Sequence, residues 1–233
     1  MRTDMRFGET QPLAYGAVPA ASASVQERMI FLKKVYGLLT ASLLTATIGA
    51  YLASGPLFEV MVGLHMPLFI LEIGLIFFVM YAARKPGLNL IALFSFTTVS
   101  GLTLGPLLGL YIMAGKSTII AEAFALTTVV FLGLTAYVIF SRRDFSFMGG
   151  FLLTGLIIVL VGGLINMFVG SSLFSFLISG VSVFLFSGFI LYDTSNILRH
   201  YSTDDYVNAT LALYLDVFNL FIALLNILGL SRD

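Results

Sequence analysis

The stretch Leu213–Gly229, LYLDVFNLFIALLNILG, decides how this chain is read. It is a greasy run long enough to cross most of a hydrocarbon layer about 30 Å thick. Yet it contains a carboxylate, Asp216. An ionised aspartate at the centre of a spanning helix is unfavourable by about 2.5–3.5 kcal/mol on insertion scales. The preceding apolar segment, Phe186–Leu198 (FSGFILYDTSNIL), repeats the anomaly with Asp193.

Outward from these two segments the chain stays apolar. Of its 233 residues 59% are hydrophobic and 10% charged, too little charge to cover a soluble domain of this size. Mean hydropathy is +1.02. The expected class is therefore all-α and integral to a lipid bilayer. A formal net charge of zero argues against nucleic acid as a partner. The absence of cysteine removes disulfides, thiolate metal sites and cysteine nucleophiles. With no tryptophan, any interfacial aromatic belt falls to Phe and Tyr. Residues 1–28 are polar and lack an apolar core of signal-peptide type, so they are expected to form a disordered cytoplasmic tail before a membrane domain over 29–233.

Seven apolar runs have spanning length: 35–54, 67–83, 88–113, 118–140, 147–169, 172–197 and 209–230. Short connections favour one antiparallel bundle. In the third run, GLTLGPLLG places Gly101, Gly105 and Gly109 four apart, which lets two backbones approach closely in lipid. Pro106 is expected to kink that helix. Ten of the twelve Lys and Arg residues fall on one side of such a bundle, leaving only Lys116 and Arg232 on the other. The basic side faces the cytoplasm by the positive-inside rule, which places the amino terminus inside and the carboxyl terminus outside.

Four acids lie within the runs: Glu72, Glu122, Asp193 and Asp216. Glu122 is near enough to the outer interface to snorkel. Asp193 lies about 6 Å from the inner end of its span and Asp216 about 10 Å into the next, so the two can meet across adjacent antiparallel helices. Two carboxyl groups in an apolar site do not both ionise readily, and their protons belong to the pair. One shared proton makes a hydrogen-bonded latch; without it, the oxygens suit a hard cation such as Ca²⁺. The blander alternative pairs each aspartate with a helix neighbour, Asn196 or Asn219. Arg84, at the inner mouth, is either a latch on one aspartate or a positive-inside anchor. Glu72, about 18 Å further out than Arg84, is either an acidic station on an ion path or a satisfied bundle acid. His65 and His200 are too isolated for a metal cluster. No phosphate-binding loop or serine–histidine pattern is present, so no enzyme chemistry and no cofactor are expected.

GFILYDTSNI (188–197) followed by ALYLDVFNLFIALLNILG (212–229) resembles the last two helices of the transmembrane Bax-inhibitor-motif family, in its bacterial branch. VYGLLTASLLTA (35–46), GLTAYVIFSRRDFSFMGGFL (133–152) and LINMF (164–168) support the resemblance, which covers residues 28–230. It implies seven helices with the last one central, wrapped by two three-helix layers. It further implies a pH-sensitive calcium leak whose sensor pair matches Asp193 and Asp216, with a latch arginine at Arg84 and a second-helix acid at Glu72. The implied setting is a bacterial inner membrane, with calcium ions and protons as partners.

Two other readings compete. One is a non-transporting partner that modulates a membrane protease or another quality-control protein. The other is an intramembrane aspartyl protease, to whose first motif LYD is similar. The glycines that flank the second aspartate of that class are replaced here by Tyr214-Leu215, which argues against proteolysis.

Overall fold

The structure, a computed structural model, describes residues 18–231. Helices occur in the order α1 (Val25–Ser54), α2 (Phe58–Gly63), α3 (His65–Ala82), α4 (Leu88–Met113), α5 (Ser117–Ser141), α6 (Gly149–Val169), α7 (Ser172–Arg199) and α8 (Tyr206–Leu230). A single 3-10 turn, Ser146–Met148, leads into α6. Among the described residues seven helices are long and apolar enough to cross a membrane, all but the six-residue α2. The chain is thus an all-α integral membrane protein with seven candidate spans.

The tail ends earlier than its composition suggests. Ser24 and Glu27 form a capping box: Ser24 Oγ accepts the Glu27 N–H at 3.2 Å, and the Glu27 carboxylate accepts the Ser24 N–H at 3.0 Å. This starts α1 at Val25, ten residues before the apolar run itself. Residues 18–23 are also placed. Pro19 forms an antiparallel bridge with Ser202 in the α7–α8 loop. The Ala20 N–H donates to the Tyr201 carbonyl at 2.9 Å, and the Thr203 N–H donates to the Val18 carbonyl at 3.1 Å. Ala20 is completely buried beneath this strap. Residues 18–28 are thus held by the strap and the first turn of α1, while residues 1–17 of the expected tail lie outside the described residues.

Close backbone packing organises the first half of the bundle. α4 lies along α1, with Ser42, Ala46, Gly49, Ala50 and Ala53 of α1 buried against the glycine face of α4. A Cβ built on Gly101 would overlap the Ala46 backbone, and one on Gly105 would overlap Ala53. The glycine spacing is thus a packing device. The α4 helix continues through Pro106 to Met113. The Thr45 and Thr97 hydroxyls hydrogen-bond across the same interface at 2.7 Å.

Helix α8 lies along α7, α1 and α5 and also touches α4 and α3. Helix α6 packs instead on α7 and on its own leading turn. That arrangement falls short of a last helix enclosed evenly by two three-helix layers. The α6 segment is the least buried of the spans, so most of its surface is left for lipid.

Candidate functional site

Asp193 and Asp216 come together. Asp193 is six residues from the end of α7, about 9 Å along the axis, while Asp216 is ten residues into α8, about 15 Å. Helical side chains tilt toward their own amino terminus. On antiparallel helices the two aspartates therefore lean toward one another, which closes the offset in depth. Their carboxyl groups lie within hydrogen-bonding reach of one another. Asp216 is 4% exposed, and its Oδ2 has no further partner. Asp193 also bonds Asn196, one turn along α7. Asn219 does not serve Asp216; its Nδ2 donates to the Leu215 carbonyl at 2.7 Å.

Below the pair, toward the basic end of the bundle, a cavity of about 490 Å³ is lined by Asp193, Asn196, His200, Tyr201, Asp205 and Arg84, among others. Arg84 does not engage the dyad. Its guanidinium lies 3.6 Å from the carboxylate of Asp205, at the start of α8. The physical reason is position: Arg84 follows the end of α3 and is 67% exposed, whereas the dyad is inside the bundle. An exposed pair of this kind contributes little stability by itself. It nevertheless holds a positive charge at the cavity rim.

Tyr201 lines the cavity from the loop. Burial pushes its phenol well above the ordinary tyrosine range, and the nearby Asp193, Asp205 and Asp216 carboxyl groups add to the shift. The ring thus lies within the electrostatic reach of both dyad members. Tyr201, Asp205 and His200 did not stand out in the sequence as site residues. Their shared role depends on how the short α7–α8 connection folds back beneath the dyad.

Glu72 belongs to a separate polar group. It is half-buried on α3, bonds Thr103 of α4, and lies near Tyr214 of α8. The Tyr214 hydroxyl bonds that of Ser100 and approaches the Thr97 carbonyl at 3.5 Å. Its ring packs edge-on to Phe96 and stacks on Phe218. Two residues along a helix are about 200° apart. Tyr214 accordingly faces α4 while Asp216 faces α7, and α8 stands between Glu72 and the aspartate pair. Glu122 lies in the first turns of α5.

The rim beyond α7 is tied down by Asp144. This residue accepts the Ser146 N–H at 2.9 Å and the Ser195 hydroxyl at 3.2 Å. Ser195 accepts the Phe145 N–H at 3.0 Å, and Arg199 donates to the Arg142 carbonyl. The α5–α6 loop is thereby fastened to the end of α7 that carries Asp193. Among the described residues no three His, Asp or Glu side chains gather closely enough to hold a metal ion together. The dyad alone supplies two carboxyl groups.

Seven apolar helices around an internal pair of acidic side chains define a polytopic membrane protein with a protonatable centre. Comparison with known proteins places it further. Residues 28–233 match the family described as Inhibitor of apoptosis-promoting Bax1, and the chain belongs to this Bax inhibitor family. An uncharacterized membrane protein of Vibrio cholerae is 47% identical over 203 residues, 87% of this chain and 90% of the relative. An uncharacterized protein of Campylobacter jejuni is 45% identical over 207 residues, 87% of this chain and 89% of the relative. The relative in Escherichia coli named Modulator of FtsH protease YccA is 38% identical over 161 residues, 69% of this chain and 73% of the relative.

Proposed function

We propose that this protein is a pH-sensitive cation leak, with Ca²⁺ as the permeant ion and the Asp193/Asp216 dyad as the gate. The observation that carries this reading is the meeting of two carboxyl groups inside an apolar bundle, directly above a polar cavity at its basic end. With one proton shared, the dyad joins α7 to α8 and presents no divalent site. Losing that proton leaves two like charges in contact, which repel one another and offer oxygen ligands to a hard cation. Flux therefore rises with pH. The basic end faces the cytoplasm by the positive-inside rule, so the dyad responds to cytosolic pH. A relative in Escherichia coli is named an inner membrane protein, and the same membrane is the proposed location here. No catalytic step is part of this reading, and protons and Ca²⁺ are its only small partners.

The test is calcium entry into liposomes that contain the purified protein and a trapped dye, measured between about pH 5 and about pH 8. Asp193→Asn and Asp216→Asn are expected to abolish the pH dependence. Flux and pH profile unchanged in both variants would refute the dyad as gate.

The name of the Escherichia coli relative favours a second reading, in which the chain binds and modulates a membrane protease without transport. In that case the dyad variants still retain the protease in a pull-down from membranes, and the liposomes show no flux at any pH.

A further inference from the structure

Among the described residues, Asp216 Oδ2 is one of several buried polar atoms that find no hydrogen-bond partner within the protein. Two more, Thr135 Oγ1 and Thr194 Oγ1, fall in the same layer of the bundle on two other helices. The layer is located by the apolar one on its outer side. There Phe131 and Leu134 of α5 pack against the cluster that holds Ile190 of α7 and Leu220 of α8. Helices α5 and α7 run toward the basic end of the bundle, and α8 runs away from it. One helical turn is about 3.6 residues, so one turn inward Phe131 is followed by Thr135, Ile190 by Thr194, and Leu220 by Asp216. All three are buried, Thr194 completely. From α1, the Tyr36 hydroxyl approaches Thr194 and also completes no hydrogen bond.

The two threonines depart from the habit of their own helices. Thr127 on α5 returns its hydroxyl to the Ala123 carbonyl at 2.7 Å, and Ser182 on α7 returns its own to Ile178 at 2.8 Å. Thr135 and Thr194 do not make that local bond, which leaves their hydroxyls for another partner. A buried polar group without a partner is costly, whereas one water that bonds two to four such groups removes the cost. We propose that the Thr135–Thr194–Asp216 layer is an internal hydration site, which binds ordered water against the side of the dyad turned away from the polar cavity. Asp193 lines that cavity and Asp216 does not, so water in the layer meets the dyad from a different direction. Hydroxyls both donate and accept and a carboxyl oxygen accepts, which is the complement that a water molecule requires. The site does not rest on the leak reading; under that reading its water is the first wet station beyond the dyad.

Hydroxyl radicals made in a short X-ray pulse test this on the full chain in detergent, because radicals born from a bound water mark side chains that bulk water does not reach. Leu220 and Ile190 are completely buried and border the layer, while Leu225, equally buried in the cluster around Ile119, serves as reference. Oxidation is expected at Leu220 and Ile190 and not at Leu225. Thr135→Val combined with Thr194→Val keeps the side-chain shape, removes both hydroxyls and should abolish that oxidation; the corresponding pair of serine variants should keep it. Melting gives an independent reading on each single Val variant, with monodisperse elution as the check that it is folded. A hydroxyl that serves a bound water is stabilising, so its loss should lower the melting temperature by about 2–4 °C, the scale of one ordinary hydrogen bond in a chain of this length. In a dry layer the same change removes an unpartnered group, and the variant melts higher. The site is overturned by Leu220 and Ile190 left unoxidised in the parent, by oxidation that persists in the double Val variant, or by a melting temperature unchanged or raised. Oxidation that requires sodium or potassium in the buffer overturns it too, since the ligand is then a monovalent cation. Calcium flux is measured separately: the expected oxidation pattern with no flux at any pH leaves the hydration site standing and removes the leak reading instead.

Discussion

The same substitution made at two glycines has opposite expected effects, and the contrast tests how this bundle is held together. At Gly101 the added Cβ of alanine would land on the backbone of Ala46, within 2.8 Å of its carbonyl carbon and 2.9 Å of its Cα, and closer still to its oxygen. No side chain is there to swing aside, so α1 and α4 must separate along their shared face. Overpacking of this kind costs about 1–3 kcal/mol, and a contact against backbone belongs at the upper end. At Gly133, on α5, an added Cβ meets nothing within 4 Å. There the substitution brings only the better helix propensity of alanine, up to about 1 kcal/mol of stabilisation. Both variants gain that propensity, so Gly101→Ala and Gly133→Ala should differ by the overpacking cost alone, about 1–3 kcal/mol, with opposite signs at its upper end. The assay is denaturation of each variant in detergent micelles, followed by loss of helical circular dichroism. Equal shifts of the two variants would refute the close approach of α1 and α4. Because α4 also carries Ser100 and Thr103, Gly101→Ala should in addition perturb the surroundings of Tyr214 and Glu72.

Tyr214→Phe removes a buried hydroxyl whose partner Ser100 keeps its own bond to the Thr97 carbonyl at 3.0 Å. With no group left orphaned, the loss of stability in the same micelle assay should stay near 1 kcal/mol. Asp144 behaves differently with pH. The Ser146 N–H, then its hydroxyl, hold this carboxyl below its usual range, so its contribution is present at neutral pH and is lost as pH falls through the lowered folded value. Asp144→Ala should thus destabilise at pH 7 by less than about 1 kcal/mol, because the group is exposed and screened. The gap between variant and parent should close below about pH 4, which melting curves at the two pH values would show.

The membrane explains why so much of the fold could be read ahead of the structure. Lipid forbids unpaired backbone and penalises charge, so spanning segments and their few acids stand out by composition alone. Asp193 and Asp216 were legible as a pair for that reason, although their depths differ and only the tilt of their side chains brings them together. The start of α1 was legible in principle, since Ser24-Val25-Gln26-Glu27 is a capping-box sequence. It lies outside the apolar run, where hydropathy carries no signal. The strap was not legible. Its pairing is between backbone groups of Val18, Ala20, Tyr201 and Thr203, and such bonds leave no mark in side-chain identity. The partner of Arg84 was hidden for a related reason, because choosing Asp205 over the dyad depends on the path of a six-residue connection between α7 and α8. The separation of Glu72 from the dyad likewise needed the packing of α3 and α4 around α8.

The placement of Tyr214 and Asp216 on opposite sides of α8 has a mechanical consequence. The two residues share one axle. Any turn of α8 about its long axis that withdraws Asp216 from Asp193 also swings the Tyr214 hydroxyl away from Ser100, since about 3 Å of rise and one rigid helix separate them. Sliding α8 along that axis shears both contacts by the same distance. The two hydrogen bonds therefore behave as bolts thrown by a single key: neither can be drawn by moving the helix while the other remains home.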